Sequence, residues 1–186
     1  MARRRKQLDL RAVAATLSDP ALEHASMGEI AARLRVAKPT LYRMAGSREV
    51  LIAISIDSEA ERLLEHVHRR GARGVIDFAA DSPAGFSLLF GDRYPRARQA
   101  IRRVESRLAT TIESRPGAPA PEIAAAGLLG LAAGLARRAV EERASVEAER
   151  LGSDFDAVAK LAARISDAEV GGLSRSRARG KYGCSR

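Results

Sequence analysis

The sequence predicts an all-α protein, and three observations carry that prediction. Its apolar residues are mostly Ala, Leu, Val and Ile, with aromatic residues at only 4% and no Trp. No stretch shows the apolar–polar alternation of a half-buried strand. Several stretches instead repeat apolar residues at spacings of three and four, the period of an amphipathic helix. At 186 residues the chain is long enough for one domain of ordinary size, or for a small domain fused to a larger one.

The formal net charge of +9 is concentrated at the two ends. Residues 1–11 carry Arg3, Arg4, Arg5, Lys6 and Arg11 against Asp9 alone, and residues 171–186 carry five basic side chains and no acid. The body between them is neutral overall, positive over 12–48 and negative over 49–170. That distribution argues against a generally sticky basic protein and for a nucleic-acid footprint in the first quarter of the chain. No apolar run of signal-peptide length follows the basic start. It reads as an arm for phosphates or a minor groove, or else as a solvated tail. Cys184 is the only cysteine; it permits no intrachain disulfide or cysteine cluster and suits a reducing cytoplasm.

The first helix spans Leu10 to Leu17, with Val13, Ala14 and Leu17 inward, and Ser18-Asp19-Pro20 interrupts it. Ser26 and Glu29 have the spacing of a capping box and open a short helix in which Ile30, Ala31 and Leu34 share a face. Pro39 suits the first turn of a second short helix, which carries Leu41 inward and Lys38, Thr40, Tyr42 and Arg43 outward. Gly46 ends it, and Ser47 caps the helix that follows. Two helices so short must meet at a steep crossing, as in a helix-turn-helix. The outward face of the second is then free to enter a major groove. Thr40 and Tyr42 suit phosphates, while Lys38 and Arg43 supply charge and base-edge donors.

The run PTLYRMAGSREVL, from Pro39 to Leu51, resembles the signature of TetR-type repressors, and Ser26, Ile30-Ala31 and Val36 fit the same pattern. The resemblance is specific over residues 8–52 and architectural beyond them. It implies that Thr40, Tyr42 and Arg48 hold phosphates and that Lys38, Pro39 and Arg43 face the groove. Ser26 and the arm residues Arg3, Arg4 and Arg5 complete the expected DNA contacts. Three features depart from the family. Arg35 stands where a turn Gly is usual, at a cost of roughly 1 kcal/mol if the position is left-handed. Met44-Ala45 replaces a pair of aromatics and thins the contact with the next helix. Arg48 replaces Lys, keeping the charge but changing the geometry.

From Ser47 to about Arg70 runs a helix with Leu51, Ile54, Leu63, Leu64 and Val67 as its apolar stripe and Glu59, Glu61, Arg62 and Glu65 on the other side. At 1.5 Å per residue it spans roughly 35 Å, a lever between two bodies. His66 and His68, two residues apart, point to different faces and do not suit a metal. Residues 72–91 hold three of the four Phe residues, with Asp81-Ser82-Pro83 as a break. These aromatics either wall an apolar pocket or fill the core. On the pocket reading its lining includes Ile54, Leu63, Phe78, Phe86, Phe90 and Leu131.

Tyr94 to Ser114 reads as a helix with Ala97, Ile101, Val104, Leu108 and Ile112 inward and a solvated row of arginines outward. After a Pro-rich loop at 115–121, the helix Glu122 to Arg143 is apolar nearly all round its first half. That run of about 14 residues is too short to span a membrane. Gly127, Gly130 and Gly134 suggest close packing that offsets their helix cost. A last helix at 154–167 aligns Phe155, Val158, Ala162 and Ile165. By resemblance these two helices form a four-helix dimer interface through Leu128, Leu135, Phe155, Val158, Ala162 and Ile165; packing within one chain is the alternative.

The expected organisation is an arm and helix-turn-helix domain at 1–46, a helical regulatory and dimerisation domain at 47–170 that begins with the connecting helix 47–70, and a basic tail at 171–186. The expected function is that of a cytoplasmic, homodimeric, sequence-specific regulator on a roughly palindromic double-stranded operator, a repressor released by a small apolar or amphipathic effector. An effector-independent architectural DNA binder is the alternative. No cofactor, metal or membrane is expected. No nucleophile elbow, phosphate-binding Gly loop, paired-His spacing or buried-looking carboxylate pair points to an enzyme.

Overall fold

A computed structural model describes residues 8–112, 119–141 and 150–160, and all the regular structure among them is helical. Helix α1 (Leu10–Ser18) starts where Asp9 Oδ1 accepts the backbone N–H groups of Arg11 and Ala12, at 3.0 and 3.2 Å. Pro20 stops it and opens a single 3₁₀ turn, Pro20–Leu22. The carbonyls left over at the end of α1 are met from far along the chain. Arg93 Nη1 donates to Leu17 O at 3.1 Å and to Asp19 O at 3.4 Å, and the Tyr94 hydroxyl reaches Leu17 O at 3.4 Å.

Helix α2 (Met27–Arg33) has the capping box its sequence predicts: Ser26 N donates to Glu29 Oε2 at 2.6 Å, and Glu29 N donates to Ser26 Oγ at 3.3 Å. Helix α3 (Lys38–Ala45) carries Pro39 in its first turn and ends at Gly46, whose φ of 75° is open to glycine. Helix α4 (Arg48–Arg70) is capped by Ser47 Oγ, which accepts from Val50 N at 3.3 Å. Beyond a 3₁₀ turn at Gly71–Arg73 come α5 (Gly74–Asp81) and α6 (Pro83–Phe90), divided at Ser82, then α7 (Pro95–Ala109), α8 (Pro121–Glu141) and a helix at 150–160, here α9. Helix α7 is shorter than Tyr94 to Ser114, because Tyr94 serves as its N-cap and the helix gives way at Thr110.

Helix α4 packs on α5 and α7, and α8 packs on the same two, which closes a ring of four helices. Helix α6 lies against α4, α5 and α7 and also carries α1, which packs on α4 as well, and the α2–α3 pair meets the body where α3 touches α4. One apolar cluster runs through both, from Val13, Ile30 and Leu41 to Leu63, Phe78 and Leu129. The ring can be tight because α7 and α8 present Ala97, Ala100, Ala125, Ala132 and Ala136, all fully buried.

Three expectations are corrected by this packing. Glu59, assigned to the solvent side of the long helix, is fully buried, while Ile54 and Leu64 are only half-buried. Helix α6 lands on the middle of α4 and covers Glu59, which periodicity along one helix does not reveal. The glycines of α8 do not serve close packing within the described residues. No atom lies within 4 Å of where a Cβ would stand at Gly127, Gly130 or Gly134, and Ile123 beside them is 67% exposed. Within one chain α8 is therefore buried on one face. Finally, α9 is already helical at residue 150, four residues before the predicted start.

Candidate nucleic-acid interface

The α2–α3 pair is built by local rules. Helix α2 ends with a left-handed residue: Val36 N donates to Ala31 O at 3.0 Å, Arg35 N to Ala32 O at 3.1 Å, and Arg35 has φ 53°. These bonds make a Schellman motif, with Arg35 at the position that usually takes glycine. The turn then alternates. Leu34 and Val36 pack inward against the core, and Arg35 and Ala37 are exposed. Leu41 and Ala45 anchor α3, both buried.

The outward face of α3 follows from that anchoring. Lys38, Pro39, Tyr42 and Arg43 are all exposed, Tyr42 at 43%. Lys38 Nζ lies 6.0 Å from the centre of the Tyr42 ring, so a cation and an amphipathic aromatic occupy neighbouring places on one face. Thr40 is half-buried and turns toward α1. With Leu8, Asp9, Ala12, Leu34, Val36 and Met44 it lines a groove of about 160 Å³ behind α3. Met44 thus borders open space where the expected family pattern has an aromatic contact.

The electrostatics of this face are one-sided. From Ile30 to Arg48 there is no acidic residue, but there are five basic ones: Arg33, Arg35, Lys38, Arg43 and Arg48. Arg33 lies 3.8 Å from Asp19, while Arg35, Lys38 and Arg43 make no ion pair among the described residues. Ser26 is exposed, and its hydroxyl oxygen accepts the Glu29 N–H. The Ser26 backbone N–H, and after it the Ser26 hydroxyl, hold the Glu29 carboxyl below the usual carboxylate range.

Arg48 is placed differently from expectation. Its Nε donates to Ala25 O at 3.0 Å and its Nη2 to Glu23 O. The guanidinium fork ties the loop before α2 to the start of α4, a geometry that Lys cannot reproduce. Two of its donors thus serve the fold. The expected arm contacts Arg3, Arg4 and Arg5 lie outside the described residues.

The residues expected to line a ligand pocket divide in two. Leu63, Phe78 and Phe86 are closed into the core, whereas Ile54, Phe90 and Leu131 are half-buried. Phe86 and Phe90 stack at 4.7 Å, and His66 meets Phe78 edge-on at 5.9 Å. Among the expected interface residues, Phe155 is buried in the chain's own core and Leu128 and Leu135 pack partly against it. Val158 is 41% exposed; Ala162 and Ile165 lie outside the described residues, as does the basic tail at 171–186.

Sequence reasoning missed a buried ionic cluster where α4 meets α5 and α6. Glu59 Oε2 accepts from Arg62 Nη1 at 2.7 Å and from the Ser82 hydroxyl at 3.1 Å, and Arg62 Nη2 reaches Asp81 at 2.6 Å. Asp81 also lies 3.5 Å from Arg11 of α1 and 3.8 Å from His66. Two carboxylates bridged by one guanidinium thus join three parts of the fold. The i,i+3 spacing of Glu59 and Arg62 was visible in sequence, but the burial was not. Among the described residues no group of three or more His, Cys, Asp or Glu side chains is arranged to hold a metal, and no helix is long and apolar enough to cross a membrane. No protein-family model and no curated protein matches the chain.

Proposed function

We propose that the protein is a sequence-specific DNA-binding transcriptional regulator of the TetR type. Helices α2 and α3 act as a helix-turn-helix, with Lys38, Pro39, Tyr42 and Arg43 presented to a major groove. The observation that carries this reading is the outward face of α3, cationic and aromatic, set in a stretch of nineteen residues from Ile30 to Arg48 without an acid. A solvated helix face of ordinary composition would mix both signs of charge.

The regulator works as a homodimer. Supporting this is the exposed apolar and glycine-lined side of α8, with Ile123, Gly127, Gly130 and Gly134 open to close approach by a second helix. A two-fold dimer demands a roughly palindromic operator. A small apolar or amphipathic effector releases it by favouring one arrangement of the two reading heads over the other. The route for that coupling is α4, which packs on α5 and α7 in the ring and also touches α3.

The test is selection of duplex DNA from a random pool by the purified protein, followed by titration of the recovered duplex and of a scrambled one at physiological salt. Enrichment of a palindrome bound at least a hundredfold more tightly than the scrambled duplex supports the reading, this being below the usual separation of about 10³ or more between specific and non-specific sites. Equal affinity for both removes it.

A further inference from the structure

Arg35 combines three properties that do not normally occur together. It holds φ at 53°, a region that disfavours side chains and makes glycine the usual choice at this position of a Schellman motif. Its side chain is exposed and makes no hydrogen bond or ion pair among the described residues, so only the backbone bonds of the turn, and nothing the side chain does there, offset the strain. It also lies in the turn that delivers α3, three residues before Lys38 and on the exposed side of the alternation with Leu34 and Val36.

Strain held without an internal return is a mark of a functional position. The geometry points to Arg35 as an additional DNA-phosphate contact, one that extends the face of α3 backward across the turn. This inference rests on the DNA-binding reading above. The turn leads into the end of α3 that must approach the groove, so a guanidinium projecting from it meets the sugar-phosphate wall rather than the base edges. Its contribution is then to affinity and register, not to base choice. Two other cations of the same stretch already have partners: Arg33 lies 3.8 Å from Asp19, and Arg48 donates to the carbonyls of Ala25 and Glu23.

The experiment compares the full chain with R35G, R35N and R35K, using duplex DNA recovered by selection from a random pool and titrated across a salt series. Glycine and asparagine accept the left-handed backbone without charge, and lysine keeps the charge on a strained backbone. The slope of log affinity against log salt becomes shallower by about 0.9 in R35G and R35N, the loss of one phosphate contact, and stays at the wild-type value in R35K. R35G also melts about 2–4 °C higher than wild type, which shows that its weaker binding is not a folding defect. An unchanged slope in R35G, or an equal loss in R35K, overturns the assignment of Arg35 while leaving the DNA-binding reading intact. A wild-type chain that binds no duplex even at low salt overturns both.

Discussion

Replacing Gly85 by alanine sets two effects of opposite sign against each other. In the interior of a helix the change ordinarily stabilises by about 0.5–1 kcal/mol, because glycine loses more backbone freedom on folding. At this place a Cβ would stand 2.1 Å from Glu59 Oε2 and 2.6 Å from Ser82 Oγ. The carboxylate cannot simply step aside. It is fully buried, and it is held by Arg62 at 2.7 Å and Ser82 at 3.1 Å, while its second oxygen, Oε1, has no partner among the described residues. Moving it breaks a buried ion pair, a loss on the order of 3 kcal/mol. The net is a destabilisation of about 2 kcal/mol, or a fall in melting temperature of roughly 4–8 °C for a chain of this size. Thermal unfolding followed by circular dichroism reads it. The companion E59A/G85A isolates the cause: with the carboxylate gone, the alanine at 85 costs only the shift of the Ser82 hydroxyl 2.6 Å away, and the two changes are strongly non-additive. A G85A protein that melts at or above the wild-type temperature would refute the picture of Glu59 as a pinned buried charge.

Three further outcomes are expected. R48A loses two charge-assisted bonds to backbone carbonyls and with them about 2 kcal/mol of stability, R48K recovers only part of it, and neither changes the salt slope of DNA binding by a full phosphate contact. His66 is held below its ordinary value of about 6.5 by burial first and Arg69 second, against the pull of Asp81. Its folded value is depressed, so its contribution is complete above the ordinary value and is lost as pH falls from there through the folded one. Melting temperature accordingly drops between pH 7 and pH 5 in the wild type and drops less in H66Q. Deleting 1–7 and 171–186 lowers total affinity for DNA but leaves the preference for the selected duplex over a scrambled one; loss of most of that preference would favour the architectural alternative.

What could be read from sequence was local. The Ser26–Glu29 capping box, the Ser47 cap and the break at Pro20 each depend on a few neighbouring residues, and each is found at the place the residues specify, whereas the left-handed turn at Arg35 was suggested only by the resemblance. The outward places of Lys38, Tyr42 and Arg43 followed from the period that turns Leu41 inward, but Thr40, expected beside them, is half-buried against the groove toward α1. Tertiary choices were not legible. Whether Glu59 meets water or α6 depends on where a helix more than twenty residues away comes to rest. Whether Arg48 faces a phosphate or a carbonyl depends on the path of the loop at 23–25. The glycines of α8 admit a close neighbour, but the neighbour cannot be named from one chain's periodicity. The Phe-rich segment was ambiguous for the same reason: Phe78 and Phe86 fill the core and Phe90 lies at its edge, a division set by packing and not by composition.

The central claim is that the outward face of α3 reads DNA, and a direct test is the affinity of K38A, Y42A and R43A for the selected duplex and for its scrambled counterpart. These residues are exposed, so the variants should fold and melt as the wild type does. The account predicts that at least one of them loses discrimination between the two duplexes by about tenfold or more, the worth of one good base contact, at unchanged melting temperature. Three variants that keep the wild-type ratio of affinities would contradict it.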